Sequence, residues 1–182
     1  LAVDPARVHV VGAGYRDDLF HPRGRTPSGA DQLIYVGKYS AAKGLPWLLD
    51  AVERLAPRRP DLCLHVAGSG AGNEAEALRR RMGEMGDLVV LHGQLTQAEL
   101  AERMRPCDVC VLPSMNGGLP LVLVEAMACG CRLVSTALPG VTGELAPHLG
   151  SALETIGMPG LQGVDVPLAG DLPAFVDRLE GA

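Results

Sequence analysis

The feature of this chain that most restricts its fold is the alternation of short apolar runs with helical segments. Six runs fit β-strands, among them residues 32–36, 62–67, 88–91, 109–112 and 132–135. Such alternation is typical of a parallel sheet with helices on both faces, and not of a barrel built from hairpins. Near the end, Gly163–Pro167 is predicted as the sheet edge and Asp171 to Leu179 as a closing helix. The sequence predicts an α/β fold with a doubly wound, Rossmann-like parallel sheet, and 182 residues suit a single domain of this kind.

Residues 113–131 join a strand, a glycine turn and a helix without spare residues. Gly117 and Gly118 can approach a ligand because they lack a Cβ, and Pro120 suits the first turn of the helix. Free N–H groups and the helix dipole then favour an anion at this point. Glu125 lies about five residues into the otherwise apolar helix, where its carboxylate should accept hydrogen bonds from hydroxyl groups. Taken alone, the glycines also fit a plain connection, and the glutamate also fits a solvated helix residue.

Lys38 and Lys43 bracket the loop between the strand Gln32–Val36 and a helix predicted to run from about Gly44 to Leu55. Loops at the carboxyl ends of parallel strands are where open α/β sheets bind ligands. The spacing alone fits two surface lysines equally well. The two residues are therefore candidates whose role depends on the remaining motifs.

Residues 118–130, Gly-Leu-Pro-Leu-Val-Leu-Val-Glu-Ala-Met-Ala-Cys-Gly, resemble the donor-binding signature of the retaining glycosyltransferases with the GT-B fold, and Pro113-Ser114 matches upstream. That family includes many bacterial mannosyl- and glucosyltransferases of glycan biosynthesis. Residues 36–45, Val-Gly-Lys-Tyr-Ser-Ala-Ala-Lys-Gly-Leu, resemble the segment whose two basic residues hold the donor diphosphate. Lys38 replaces the usual arginine, which keeps the charge but loses the planar fork of the guanidinium.

The resemblance fails at one position of the signature. The family's first glutamate, which contacts the transferred sugar, falls on Gly117, so that a hydrogen-bond acceptor and a negative charge are missing. Asn116 is adjacent and could accept a hydrogen bond after a one-residue slip, but it cannot supply charge. The sequence therefore leaves open whether the chain belongs to a catalytically active enzyme.

The resemblance implies transfer of a hexose from a nucleoside-diphosphate sugar with retention of configuration, without a metal and without a cofactor other than the donor. Lys38 and Lys43 would be the catalytic cations, because they would stabilise the leaving diphosphate. Glu125 would bind the ribose hydroxyls. The implied donor-binding residues are Gly37, Gly68, His92, Gly93, Asn116, Gly117, Gly118, Leu119, Pro120 and Glu125.

The resemblance covers nearly the whole chain but only the C-terminal, donor-binding half of a GT-B enzyme. The N-terminal domain, which binds the acceptor (a glycan, a lipid or a small molecule), would be the missing partner. Residues 8–22 resemble the family's entry into its second domain, and Arg23–Asp31 is expected to be a flexible loop. We therefore expect an excised or truncated domain that is inactive alone.

Two other function classes remain open. One is a non-catalytic nucleotide-sugar-binding or regulatory module, which the glycine at position 117 favours. The other is a sugar-nucleotide epimerase of related fold, which would need its own acid–base carboxylates and a histidine. The nearly complete diphosphate loop favours an enzyme as the parent protein.

Composition limits which classes of binding partner fit this chain. The net charge of −5 argues against nucleic acid. No apolar run approaches the roughly 18 residues needed to span a bilayer, so a cytoplasmic location is expected, with peripheral membrane association an expectation only for the full-length enzyme. Cys107-x-x-Cys110 and Cys129-x-Cys131 have zinc-like spacing, but they fall in separate elements, which favours buried free thiols in a reducing compartment.

Overall fold

The computed structural model describes residues 4–7, 14–26 and 31–182. The predicted entry strand near Val8 and residues 27–30 of the predicted loop lie outside the described residues. Six strands form the main sheet: β1 (Gln32–Val36), β2 (Cys63–Ala67), β3 (Val89–Gly93), β4 (Val109–Leu112), β5 (Arg132–Thr136) and β6 (Leu153–Ile156). Their order is β3-β2-β1-β4-β5-β6, and every neighbouring pair is parallel. The predicted α/β class with a doubly wound, Rossmann-like sheet is confirmed.

The helices are α1 (Leu45–Leu55), α2 (Asn73–Glu84), α3 (Gln97–Met104), α4 (Leu121–Ala128), α5 (Ala146–Leu149) and α6 (Leu172–Gly181), and a π-helical turn, Val141–Leu145, precedes α5. Local sequence explains several boundaries. The α3 helix begins at a capping box, in which Thr96 Oγ1 accepts from the Glu99 N–H at 3.3 Å and Glu99 Oε2 accepts from the Thr96 N–H at 2.8 Å. The α1 helix begins with Leu-Pro after Gly44, which has a positive φ of 74°.

The core lies on both faces of the central strands. Ile34 and Tyr35 of β1 are fully buried, and they face opposite sides of the sheet because consecutive side chains alternate. Trp47 of α1 meets Phe175 of α6 edge to face, with ring centroids 6.2 Å apart. Full burial of one large apolar side chain contributes about 1.5–3 kcal/mol, so these contacts hold the first and last helices on the same face.

The four cysteines with zinc-like spacing are buried free thiols. Burial raises the pKa of Cys107, Cys110, Cys129 and Cys131, so that these thiols stay protonated at neutral pH. Within the described ranges, no three His, Cys, Asp or Glu side chains converge on a point where they could hold a metal ion.

Two predicted boundaries are wrong. The sheet edge is β6, whereas Gly163–Pro167 belongs to a separate two-stranded hairpin of β7 (Leu161–Gln162) and β8 (Val166–Pro167). Only the first and last residues of β6 are buried, so its sequence carries no apolar run. The third strand also runs past the predicted Leu88–Leu91 to Gly93, because its pairing with β2 continues to that residue.

Across the part of the chain that the structure describes, no helix is both long enough and apolar enough to cross a bilayer.

Candidate functional site

A cleft of about 300 Å³ opens between the carboxyl ends of β1 and β4. This is the point where the strand order reverses, and open α/β sheets bind ligands at such points. The residues that line the cleft are Val36, Gly37, Lys43, Leu112, Ser114, Asn116, Gly117, Gly118, Leu119, Pro120, Leu121, Val122 and Leu138. Seven of the predicted site residues are therefore brought together here: Gly37, Lys43, Asn116, Gly117, Gly118, Leu119 and Pro120.

Backbone contacts hold the two loops of this cleft together. The Met115 N–H donates to the Ala42 carbonyl at 2.9 Å. Gly44 packs so closely on the loop after β4 that an added Cβ would lie 2.0 Å from the Pro113 carbonyl oxygen. Glycine at position 44 is therefore required both by its positive φ and by this approach. The consequence is that Lys43 lies beside the residues that follow β4.

The cleft is electrostatically suited to an anion. Among the described residues that line it, only Lys43 carries a charge. Pro120 is the N-cap residue of α4, and the first amides of a helix have no acceptor within the helix. The positive end of the helix dipole adds to the lysine charge.

The glycine turn beside the helix is open. A Cβ added to Gly118 would meet nothing within 4 Å, and one added to Gly117 would meet only Leu138 Cδ1, at 3.7 Å. On the inner side the turn is supported by Gly140, whose added Cβ would lie 2.5 Å from the Leu119 nitrogen. The position of the absent first glutamate is thus empty space at the mouth of the cleft.

A second cleft, of about 520 Å³, adjoins the first at the ends of β1 and β2. It is lined by Val36, Gly37, Lys38, Gly68, Ser69, Gly70, Ala71 and Gln94. Lys38 and Lys43 therefore line neighbouring clefts that share Val36 and Gly37, rather than one pocket. A ligand that contacts both lysines must span the boundary between the clefts.

Gly37 and Gly68 form part of the wall of the second cleft, and Gly93 lies behind Gly68. Gly37 donates its N–H to the Ala67 carbonyl at 3.0 Å, and Gly68 donates to the Gly93 carbonyl at 2.7 Å. A Cβ on Gly68 would lie 2.0 Å from the Gly37 carbonyl oxygen. At the ends of three adjacent strands, Gly68 is thus in contact with both Gly37 and Gly93.

Glu125 lines neither cleft. It is the fifth residue of α4 and is partly buried, and burial raises the pKa of its carboxyl group. Within the described ranges, its carboxylate forms no hydrogen bond or ion pair. The residue lies one turn beyond the start of α4, where it is free to accept hydrogen bonds from hydroxyl groups.

His92 also lines neither cleft, and its side chain packs along the sheet. His65 Nδ1 lies 2.9 Å from His92 Nε2, and His65 Nε2 lies 2.8 Å from Gln32 Oε1. The amide oxygen accepts only, so His65 donates from Nε2 and accepts at Nδ1 from His92. Sequence reasoning did not find His65, because the contact depends on the register of β2 and β3. Ser114, to which it gave no role, lines the first cleft.

Comparison with known proteins gives consistent results. Residues 30–153 match the family profile described as Glycosyl transferases group 1. The chain is 34% identical over 151 residues to the D-inositol 3-phosphate glycosyltransferase of Pseudarthrobacter chlorophenolicus, covering 76% of this chain and 36% of that protein. It is 33% identical over 131 residues to the phosphatidyl-myo-inositol mannosyltransferase of Mycobacterium tuberculosis, covering 66% of this chain and 34% of that protein. The chain thus spans about a third of the length of these curated relatives.

Solved structures agree on the fold. The sucrose-phosphate synthase of Thermosynechococcus elongatus superposes with a TM-score of 0.70 at 23% identity, over 95% of this chain and 42% of that chain. A pneumococcal O-GlcNAc transferase in complex with UDP and GlcNAc superposes with a TM-score of 0.60 at 22% identity, over 89% of this chain and 30% of that chain. At these identities the similarity establishes the fold alone.

Proposed function

This chain belongs to the group 1 glycosyltransferases, which have the GT-B fold, and on that premise we propose that it is the donor-binding part of such an enzyme. The bound group is the diphosphate of a nucleoside-diphosphate sugar, in the cleft between β1 and β4. The observation that carries this proposal is the composition of that cleft, where Lys43 and the N-terminus of α4 meet and none of the described lining residues is a carboxylate.

The chemistry follows from the charges. When the bond between the sugar and the diphosphate breaks, negative charge grows on the leaving phosphate oxygens. Lys43 and the amides at the start of α4 stabilise this charge, and Lys38 at the adjoining cleft adds a second cation for a diphosphate that spans the boundary. Such fixed donors stabilise the transition state more than the ground state, because the charge is larger there.

Glu125 has a separate role in this proposal. Its carboxylate has no described partner and lies about one turn along α4 from the phosphate cleft. We assign it to the ribose hydroxyls of the nucleotide, because an ionised carboxylate accepts hydrogen bonds from two neighbouring hydroxyls. The second cleft, whose wall includes Gly37 and Gly68, leaves space for the rest of the nucleotide.

The parent enzyme transfers a hexose with retention of configuration to an acceptor that a further, N-terminal domain binds. This part of the proposal rests on the family resemblance and on the chain covering about a third of its relatives. A second candidate is a non-catalytic nucleotide-sugar-binding module. Gly117 favours it, because the open space there supplies neither an acceptor nor a charge for the transferred sugar.

Calorimetric titration of the 182-residue chain with UDP, GDP and ADP and with their hexose conjugates tests the proposal. UDP is the first probe because the pneumococcal relative was solved with UDP and GlcNAc. We expect one nucleotide to bind preferentially. Lys43→Ala should weaken that binding roughly 10- to 100-fold, because a charge-assisted hydrogen bond contributes about 1.5–3 kcal/mol.

Two further variants separate the roles in this titration. Glu125→Ala should weaken binding of nucleosides and nucleotides alike, because it removes a ribose contact. Arg80→Ala, which changes the net charge by the same amount at an exposed position of α2, should change nothing. Equal losses in Lys43→Ala and Arg80→Ala would contradict a specific phosphate site.

A further inference from the structure

Ser114 is a buried side chain in the wall of the phosphate cleft, and its hydroxyl has no partner in the part of the chain that the structure describes. Only 2% of the residue is exposed, and Oγ forms no hydrogen bond within the described residues. The residue lines the same cleft as Lys43 and Gly118. Sequence reasoning treated it only as the residue upstream of the glycine turn.

Two buried hydroxyls close to it show how the same fold satisfies such groups elsewhere. Ser135 Oγ donates to the Leu112 carbonyl at 3.2 Å, and Thr136 Oγ1 donates to the Ser114 carbonyl at 2.5 Å. Both are as buried as Ser114. Most buried polar side-chain atoms have a partner, so an exception needs an explanation. The carbonyl of Ser114 is held by Thr136, while its hydroxyl has no partner among the described residues.

The surroundings indicate what would pair with the hydroxyl. A cleft whose one charged residue is a lysine, beside the N-terminus of α4, attracts an anion, and an anion's oxygens accept hydrogen bonds only. The Ser114 hydroxyl is a donor that would then have an acceptor. The hydroxyl is shielded from water, so a ligand can reach it only when the wall of the cleft rearranges locally.

We propose that Ser114 is a phosphate-binding residue of the donor site, whose hydroxyl donates to a phosphate oxygen once the wall of the cleft rearranges around the ligand. This inference rests on the proposed function of the cleft. It adds to it a fourth phosphate contact, after Lys43, Lys38 and the α4 amides. It also implies that the empty site is destabilised by an unpaired buried hydroxyl, which ligand binding satisfies.

The test compares Ser114→Ala with Ser135→Ala in two measurements, the melting temperature of the empty chain and calorimetric affinity for UDP, GDP and inorganic pyrophosphate. In Ser114→Ala the melting temperature should stay equal or rise, because the substitution removes an unpaired group. Affinity for all three phosphates should fall about tenfold, the factor that corresponds to about 1.4 kcal/mol, and affinity for uridine and guanosine should not change. In Ser135→Ala the melting temperature should fall and the affinities should stay.

The outcomes distinguish this inference from the proposed function. If UDP, GDP and pyrophosphate bind the wild-type chain and Lys43→Ala weakens them while Ser114→Ala does not, only the role of Ser114 is overturned. If Ser114→Ala lowers the melting temperature as Ser135→Ala does, the hydroxyl has a protein partner, and the inference is likewise overturned. If none of the three probes binds the wild-type chain, the donor site itself fails and Ser114 fails with it.

Discussion

Two glycine-rich loops border the clefts, and their glycines are there for opposite reasons. In the loop after β2, an added Cβ on Gly68 would lie 2.0 Å from the Gly37 carbonyl oxygen, and one on Gly70 would lie 2.7 Å from Ala75 Cβ. In the turn after β4, an added Cβ on Gly118 would meet nothing within 4 Å. The loop after β2 needs glycine because neighbouring protein atoms occupy the position of a side chain. The turn after β4 has glycine at a position where a side chain would fit, which leaves room for a ligand.

The largest effect should come from filling the packed loop. Gly68→Ala forces a Cβ into the Gly37 carbonyl at a position with φ of 131°. We expect a loss of about 4 kcal/mol or more of the free energy of unfolding, because backbone strain and overpacking add. Urea denaturation followed by circular dichroism measures this loss.

Gly72→Ala is the matched control for that variant. Gly72 also has a positive φ, 84°, but an added Cβ there meets nothing within 4 Å. Its cost should be about 1–3 kcal/mol, the conformational part alone. Equal losses in the two variants would show that the close approach of Gly68 to Gly37 does not matter.

The open turn should tolerate a side chain with a smaller stability loss and a change in binding. Gly117→Glu places a carboxylate where the family has its first glutamate, at a cost of about 1 kcal/mol for the unusual backbone conformation. It should raise the affinity for UDP-glucose over that for UDP by about three- to tenfold, because it supplies an acceptor for a sugar hydroxyl. Calorimetry with both ligands measures the ratio.

Gly117→Gln controls for the size of the new side chain in that experiment. The amide has the same shape and one acceptor oxygen but no charge, so its effect on the ratio should be smaller. A ratio that stays at the wild-type value in Gly117→Glu, with both affinities reduced, would show that the open space belongs to the phosphates and not to the sugar.

The smallest effect should come from lowering the pH, which acts on the packed histidine pair His65 and His92 of β2 and β3. Burial, the neighbouring His92 and Arg103 lower the pKa of His65, and burial and Arg103 lower the pKa of His92. As the pH falls, the histidines of the unfolded chain are therefore protonated before those of the folded chain. The free energy of unfolding is highest above the usual histidine pKa of 6.5 and decreases as the pH drops below it. Urea midpoints between about pH 7.5 and 5.5 should decrease. His92→Asn should flatten this dependence, and an unchanged slope would refute the assignment.

The difference between the two loops also marks the limit of the sequence analysis. Apolar runs identify β1, β2, β4 and β5, because a strand buried on both faces shows as a run. They miss β6, whose Glu154 and Thr155 are exposed and which is defined by pairing with β5. They also end β3 too early, because the pairing that extends it to Gly93 is a property of its neighbour.

The site shows the same limit. The motifs select Lys43 and residues 116–120, which the structure brings into one cleft, since these lie within a few residues of a strand end. They do not show that Lys38 lines the adjoining cleft, that His92 turns toward His65, or that Ser114 lacks a partner. Each of these depends on the distance between separate segments, which a single sequence does not record. Likewise, sequence spacing cannot tell the packed glycine at position 68 from the open one at 118.

The contact between Trp47 and Phe175 has a practical consequence for all of these measurements. Trp47 is the one tryptophan of the chain; it lies on α1, is buried against Phe175 of α6 and lines neither cleft. Its fluorescence emission therefore reports whether the last helix is docked, and a red shift signals its release into water. The same emission should stay constant when a nucleotide binds, so the protein carries an optical signal for its own integrity that ligands do not disturb.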